Sequence, residues 1–274
     1  MSSPGELFAS GASHYARYQP RYPRELFDFL AEAFGLNGTQ TALDLGCGPG
    51  ILALPLSRLV ARVIAVDPEP GMLEEGRSIA GRQNVGTIRW RRGDSSDLRA
   101  LGLPPLDLCV MGRSFHWMSR EQVLADLDGL VNPEGGVVIV ATEPTGTAWS
   151  RAVDEVREAY RTLPGGGDDG SRPEQEESNR EILRRSPFPR VTAAHWTYRI
   201  DRTLDEVIGL QFSHSSFTPA RLGGRKDAFE RDLRTALAGI SPDGRFEQTV
   251  RTEALTATRR RRGLRPGRAP SARS

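Results

Sequence analysis

The fold of this 274-residue chain is decided by the stretch Leu43-Asp44-Leu45-Gly46-Cys47-Gly48-Pro49-Gly50. It lies between an apolar β-type run at 41–45 and a helical stretch at 51–59. Its three alternating glycines permit backbone conformations that a side chain would forbid, and they let the backbone approach a ligand closely. In open α/β sheets, ligands bind beyond the carboxyl ends of the strands, where the strand order reverses. The stretch therefore predicts a binding site at a strand-to-helix turn.

Short β-type runs alternate with helical stretches around this turn, which is the pattern of a parallel sheet covered on both faces. The first five strands are predicted at 41–45, 62–66, 87–91, 107–111 and 137–141. The helices between them are predicted at 51–59, 71–80 and 120–131, with a turn at 132–136. Later strands are predicted at 191–200 and 245–257, and helices at 150–162, 204–212 and 225–238. Upstream, residues 13–34 are predicted to be an aromatic, basic entry segment followed by a helix that carries Leu26, Phe27, Leu30 and Phe34. The pattern predicts a Rossmann-like, seven-stranded, doubly wound sheet, mostly parallel, with an antiparallel closing strand and helical lid elements.

Charge divides the chain into two parts. The formal net charge is +2, from 37 basic and 35 acidic residues, but residues 259–274 hold seven arginines and no acid. Without them the body has 30 bases against 35 acids. We expect 1–258 to be a single domain, with a cofactor-binding core at 13–145 and acceptor-side lid insertions at 146–240. The low-complexity segment 259–274 is predicted to be a basic, disordered tail.

Composition excludes several classes of function. Basic residues are spread along the body, so bulk charge gives no support to nucleic-acid binding. Mean hydropathy is −0.44, and the sequence contains no run of the roughly 18 apolar residues that a spanning helix needs. No signal peptide is evident at the N-terminus, and two cysteines 62 residues apart make no metal site. We expect a reduced, cytoplasmic protein that uses no metal and does not bind membranes. The oligomeric state is not encoded in these features.

The residues around the glycine turn indicate the type of ligand. A dinucleotide fingerprint has the spacing G-x-G-x-x-G, whereas here Gly50 comes one position early. Asp44 precedes the first glycine by two residues and suits a cationic amino group better than a pyrophosphate. Asp67, at the end of the second strand, is placed to bind a pair of ribose hydroxyls. A nucleoside with an amine and no phosphate fits this pattern, and S-adenosylmethionine is such a molecule.

Four segments resemble, in order and spacing, the motifs of class I S-adenosylmethionine-dependent methyltransferases: Leu43–Gly50, Val63–Asp67, Gly93–Leu98 and Asn132–Val140. The segment Tyr15–Pro23 is similar to the entry segment of the small-molecule, type 11-like subgroup. The resemblance implies S-adenosyl-L-methionine as cofactor, S-adenosyl-L-homocysteine as product, and a small-molecule acceptor.

The resemblance also implies roles for individual residues. The glycines would line the methionine part of the cofactor with Asp44 near its ammonium, Asp67 would take the ribose hydroxyls, and Asp94 the adenine amino group. The full set of implied cofactor-binding residues is Tyr15, Tyr18, Arg21, Asp44, Gly46, Gly48, Gly50, Asp67, Pro68, Met72, Asp94, Ser95, Arg113 and Ser114. Two of these residues have another interpretation: Asp94 because acids after strands are common helix caps, and Met72 because it can be plain core packing.

His116 is the candidate general base, because it follows the fourth strand and titrates near neutrality. The alternative is that it packs beside Trp117 and only shapes the pocket. His14, Trp117 and His214 are candidate substrate contacts, and Trp149 and Phe212 are candidate walls of an acceptor pocket. An acidic run (Asp168, Asp169, Glu174, Glu176 and Glu177) and the acidic body favour a cationic acceptor. We expect methylation on N, or on O, of a small polar metabolite, such as an amine-bearing natural product of the amino-sugar type.

Three alternatives stay open. A nucleic-acid methyltransferase acting on an exocyclic amine would carry an Asn/Asp-Pro-Pro-aromatic run after the fourth strand, where this chain has Met111-Gly112-Arg113-Ser114-Phe115. An NAD-dependent oxidoreductase could use a similar sheet. A non-catalytic protein could use the cofactor only as a ligand.

Overall fold

A computed structural model describes residues 9–145, 147–161 and 177–259. Within them, seven strands form one sheet in the order β3-β2-β1-β4-β5-β7-β6. β7 runs antiparallel to both of its neighbours, and the other strands are parallel to one another. The strands are β1 Thr41–Leu45, β2 Arg62–Asp67, β3 Ile88–Arg92, β4 Leu106–Gly112, β5 Val131–Thr145, β6 Arg190–Thr203 and β7 Arg245–Thr258. The predicted fold class is confirmed.

Helices cover both faces of the sheet and form a cap beyond its carboxyl edge. They are α1 Ala12–Tyr18, α2 Arg24–Phe34, α3 Ala53–Leu56, α4 Pro70–Arg82, α5 Arg120–Asp128, α6 Ser150–Arg161, α7 Asn179–Arg185, α8 Leu204–Gln211, α9 Pro219–Leu222 and α10 Lys226–Ala238. None of the helices in the described ranges is both long and apolar enough to cross a bilayer.

Alternate residues of each central strand face opposite cores. Ala42 belongs to a core with Leu26 and Leu30 of α2, whereas Leu43 belongs to a second core with Leu124 of α5. These leucines are fully buried, and each such side chain contributes about 1.5–3 kcal/mol through removal of apolar area from water. A third core joins α6, α8 and α10 in the cap. The sheet is thus packed between two cores, and the cap is packed around a third.

Local structure departs from the predictions in four places. The helix predicted at 51–59 is only Ala53–Leu56, followed by a tighter turn in which Arg58 N–H donates to the Pro55 carbonyl. The turn predicted at 132–136 lies within β5, which begins at Val131 and bulges before pairing again at Gly136. Three helices, α1, α7 and α9, were not predicted from the sequence pattern.

The fourth departure is at the boundary of the basic tail. Arg259 was assigned to a disordered tail, but it is held against the body. Its Nε donates to Asp128 Oδ1 at 2.9 Å, its Nη1 donates to the Asn132 carbonyl at 2.9 Å, and its guanidinium lies over the Phe188 ring. The ordered body therefore includes Arg259, and residues 260–274 lie outside the described part of the chain.

Candidate active site

The glycine turn after β1 has a backbone conformation that strongly favours glycine. Gly46, Gly48 and Gly50 have φ angles of 69°, 52° and 81°, a region that residues with a side chain rarely adopt. A Cβ on Gly46 would stand 2.5 Å from Ser114 Cβ, and one on Gly50 would stand 2.5 Å from the Trp90 ring. The turn is therefore fitted closely to its surroundings on two sides.

The middle glycine has a different environment. A Cβ on Gly48 would meet only Tyr15 Cε1 at 3.8 Å and Met72 Sδ at 4.0 Å. All three of these residues line the same cleft. The backbone at Gly48 thus leaves open a space between an aromatic ring and a thioether, which a ligand could use.

Asp67 links the end of β2 to this turn. Its Oδ2 accepts a hydrogen bond from Gly48 N–H at 2.7 Å, and its Oδ1 accepts one from Glu69 N–H at 2.9 Å. Burial raises the pKa of Asp67 to about 6, and the charges of Glu69 and Asp94 add to this, against the lowering effect of the two amides. Each carboxylate oxygen retains a second lone pair, so both can still accept from a ligand.

Asp44 is buried in β1, two residues before the turn. It is 1% exposed, and its Oδ2 has no hydrogen-bond partner. Burial raises its pKa to about 8, because a charged carboxylate is poorly solvated there; the Ala53 amide lowers it and the charge of Asp67 raises it further. A buried acceptor without a donor is unfavourable, so this oxygen fits a cationic or donating ligand group.

The cleft beside these residues encloses about 750 Å³, counting its open mouth, at the carboxyl ends of β1, β2 and β4. Ten of the predicted cofactor residues line it, together with the candidate substrate contact Trp117. The ten are Tyr15, Gly46, Gly48, Asp67, Pro68, Met72, Asp94, Ser95, Arg113 and Ser114.

The other four predicted cofactor residues lie around the cleft but are not part of its lining. Asp44 is buried two residues before the glycine turn, and Gly50 ends the turn against the Trp90 ring. Tyr18 packs against Gly209 of α8, and Arg21 donates from Nη2 to the Ala16 carbonyl at 2.5 Å. Tyr18 and Arg21 thus fix the N-terminal segment, and their direct contact with a cofactor stays a prediction.

Asp94 and Ser114 have structural partners of their own. Asp94 caps the short 3-10 turn Ser95–Asp97 by accepting from Ser96 N–H at 2.8 Å. Ser114 Oγ donates to the Leu45 carbonyl at 2.8 Å and so joins the ends of β4 and β1. Asp94 is therefore a helix cap, and its Oδ2 takes no part in that hydrogen bond.

Arg113 occupies the cleft from the β4 side in an uncommon conformation. Its φ is 56°, and its guanidinium lies 5.3 Å from the centre of the Tyr15 ring and 5.2 Å from that of Tyr22. Its Nη1 donates to Gln19 Oε1 at 2.9 Å. Two aromatic faces and an amide thus hold the cation at the cleft.

The three histidines proposed for chemistry or substrate contact are not gathered in the cleft. His116 is exposed, lies outside the lining residues and packs against Trp117 with 5.2 Å between ring centres. His14 packs against Phe212 with 5.3 Å between ring centres, and burial is the largest effect lowering its pKa. Burial and the charges of Arg157 and Arg113 lower the pKa of His214 to about 3, so it is neutral at physiological pH. His116 as a base stays a prediction.

The two candidate walls of an acceptor pocket are core residues, and only one member of the acidic run lies in the described part of the chain. Trp149 and Phe212 are buried in the core of the cap, and Trp149 Nε1 donates to the Glu247 carbonyl at 3.1 Å. Packing therefore accounts for both side chains. Glu177 pairs with Arg185, whose Nη2 lies 2.5 Å from its Oε2. The other four acids of the run, at 168, 169, 174 and 176, lie outside the described residues.

Sequence reasoning missed two polar residues of the site. Glu69 lines the cleft, is 7% exposed, and caps α4 by accepting from Gly71 N–H at 3.0 Å. Its position before Pro70 at the start of a helix was a usable signal. Gln19 accepts a hydrogen bond from Arg113, and no local sequence pattern indicated this role.

Comparisons with known proteins agree with this geometry. A family model described as a methyltransferase domain matches residues 42–135. An uncharacterized methyltransferase of Schizosaccharomyces pombe is 27% identical over 144 residues, which cover 50% of this chain and 52% of that protein. One of Mycobacterium tuberculosis is 33% identical over 117 residues, which cover 42% of this chain and 56% of that protein. The chain spans only a little over half the length of these relatives.

The fold has solved counterparts as well. A proposed type II methyltransferase from Anaeromyxobacter dehalogenans is 22% identical, with a TM-score of 0.59 over 88% of this chain and 98% of that one. The likeness shows the fold, and the family match covers the glycine turn, Asp67, Asp94 and Arg113. The resemblance to class I S-adenosylmethionine-dependent methyltransferases is therefore confirmed over residues 42–135, which match the model of a methyltransferase domain. The small-molecule, type 11-like subgroup stays a prediction.

Proposed function

We propose that the chain transfers a methyl group from S-adenosylmethionine to a nitrogen, or an oxygen, of a small polar metabolite. The observation that carries the proposal is the pair of buried carboxylates on either side of the glycine turn. Asp44 has an oxygen without a donor, and Asp67 has lone pairs free beside the cleft. One ligand with a cationic amine and a pair of hydroxyls would satisfy both.

The residues present fit this cofactor. Asp44 would face the ammonium group and Asp67 the ribose hydroxyls, while the open backbone at Gly48 would lie along the chain between them. Pro68 and Met72 would pack near the adenine, and Asp94 and the Ser95 N–H would meet its polar edge. When bound, S-adenosylmethionine supplies an electrophilic methyl group on a positively charged sulfur. Among the described residues, no three His, Cys, Asp or Glu side chains gather as a metal site would require.

The protein's part in the reaction is mainly positioning. Holding an acceptor lone pair in line with the methyl carbon can supply as much as about 7–11 kcal/mol in favourable cases. Tyr15, Trp117 and Met118 line the cleft with apolar surface, which would exclude water from the reacting groups. A base is needed only for an acceptor that arrives protonated, and His116 is the candidate.

For the acceptor, we propose an amine-bearing natural product of the amino-sugar type, with O-methylation as the other possibility. The positive charge of Arg113 at the cleft supports a neutral amine as the reacting form, because a nearby cation lowers the pKa of an ammonium group. An amine that loses its proton in this way presents its lone pair without a base on the protein.

The experiment is a methyl-transfer screen with S-adenosylmethionine labelled in its methyl group, over amines, amino sugars, phenols and nucleic acids. We expect label in a small amine or hydroxyl compound, and loss of that transfer in Asp67→Ala. Labelling of nucleic acid alone would contradict the proposed acceptor class. Tight binding of S-adenosylhomocysteine without transfer to any acceptor would favour a non-catalytic ligand-binding protein.

A further inference from the structure

Gln19 lies at the end of α1 and connects two distant parts of the chain. Its Nε2 donates to Ser213 Oγ at 2.8 Å, and its Oε1 accepts from Arg113 Nη1 at 2.9 Å. Ser213 is 194 residues away along the chain and Arg113 is 94 residues away. One amide thus uses its donor and its acceptor to join the end of β4 to the cap.

Both partners of Gln19 are fixed by other contacts. Ser213 is 1% exposed, and its hydroxyl donates to the Leu210 carbonyl at the end of α8. Arg113 is stacked between two tyrosine rings, and its backbone N–H donates to the Val140 carbonyl at 2.9 Å. Each partner is held within its own element. Loss of the two Gln19 hydrogen bonds would therefore uncouple the end of β4 from the cap.

Helix α1 contacts the same two sides. Tyr15 lines the cleft next to Gly48, whereas Tyr18 packs so tightly on α8 that a Cβ on Gly209 would stand 2.3 Å from its ring. The helix therefore spans from the glycine turn to the cap, and Gln19 is at its C-terminal end.

We propose that Gln19 is a positioning residue that holds α1 closed over the cleft, by tying the end of that helix to Arg113 on one side and to the cap segment at Ser213 on the other. Gln19 is not among the residues that line the cleft, so it acts through Arg113 and Ser213. The identity of the ligand beneath this cover rests on the proposed function, whereas the closure itself does not.

Hydrogen exchange of the ligand-free chain tests the closure. The amides of Ser213, His214 and Phe217 donate to backbone carbonyls within the cap segment and should be protected. In Gln19→Leu we expect these amides to exchange about tenfold faster, the effect of one net hydrogen bond. Ser213→Ala should raise the same rates, and exposed Gln83→Leu is the matched control. Unchanged exchange in Gln19→Leu would overturn the proposal.

Ligand kinetics separate positioning from simple stabilisation. Stopped-flow fluorescence should show S-adenosylhomocysteine dissociating about tenfold faster from Gln19→Leu, with the association rate within about twofold of wild type. Gln19→Glu keeps the acceptor for Arg113 but loses the donor to Ser213, whose one hydroxyl hydrogen already goes to the Leu210 carbonyl, so its dissociation rate should lie between those of wild type and Gln19→Leu. Wild-type dissociation from Gln19→Leu would also overturn the proposal. Failure of the wild-type chain itself to bind would refute the proposed function, and the exchange rates would still decide the closure.

Discussion

Asp67 Oδ2 accepts a hydrogen bond from the backbone amide of Gly48 at 2.7 Å. The contact joins the end of β2 to the turn after β1, so it directly links the segments that would hold the ribose and the methionine part of the cofactor. The Gly46 and Cys47 amides strengthen this link by donating to the Val66 carbonyl. The geometry of the site therefore depends on a carboxylate that also lines the cleft.

The pH dependence of cofactor binding should report on Asp67. Its pKa is raised to about 6, so it becomes protonated as the pH falls from 7 to 5 and can no longer accept at both oxygens. We expect the affinity for S-adenosylhomocysteine, measured by calorimetry, to fall over this range. Asp67→Asn should bind S-adenosylhomocysteine at least about tenfold more weakly at pH 7.5, because a charged acceptor is gone. Its affinity should no longer change between pH 5 and 7. Equal wild-type affinity at pH 5 and pH 7.5 would count against this role.

Asp44 should make the ligand-free protein less stable as the pH rises. Its pKa is about 8 in the folded chain and 3.8 as a free side chain, so between these values the folded state binds more protons than the unfolded state. Stability is then lost as the pH increases from about 4 through 8. Thermal unfolding should show that Asp44→Asn is more stable than wild type at pH 8.5, although it binds S-adenosylhomocysteine more weakly. Exposed Asp201→Asn is the control, and a destabilised Asp44→Asn at pH 8.5 would refute the interpretation.

The contact between Gly50 and Trp90 should be measurable as a steric effect. Gly50→Ala places a methyl group against the ring as well as a side chain at positive φ, and we expect it to cost about 1–3 kcal/mol beyond the backbone strain. Gly102→Ala has the strain alone, because nothing lies within 4 Å of its Cβ, and should cost about 1–2 kcal/mol. Trp90→Leu should recover part of the loss in a Gly50→Ala background. Equal denaturant midpoints for the two alanine variants would contradict the steric account.

Truncation should place the edge of the ordered body at Arg259. Removal of residues 260–274 should leave the melting temperature and S-adenosylhomocysteine affinity unchanged. Removal of Arg259 as well should lower the melting temperature by about 2–4 °C, since it breaks a partly exposed pair with Asp128 worth about 1 kcal/mol. A large loss of affinity with the shorter truncation would instead make the tail part of the site.

Local sequence patterns predicted the strands and the glycine turn because those features depend on neighbouring residues. Asp67 was predictable for the same reason, since it ends a strand. Helix α7 was missed because seven residues give too little periodicity to stand out. The capping box of Ser178 with Glu181 at its start was a usable signal for it.

Side-chain direction beyond the strands was not predictable. The turn Phe115–Trp117 buries Phe115 and exposes His116, and no local pattern determines which of them faces the cleft. The contacts of Gln19 join residues 94 and 194 positions apart, so only the packed structure brings them together.

Calorimetry with S-adenosylhomocysteine and with NAD, on wild type and Asp67→Ala, tests the central claim most directly. We predict that wild type binds S-adenosylhomocysteine and not NAD, and that Asp67→Ala loses this binding while remaining folded. Binding of NAD without binding of S-adenosylhomocysteine would contradict the account, as would wild-type affinity in Asp67→Ala.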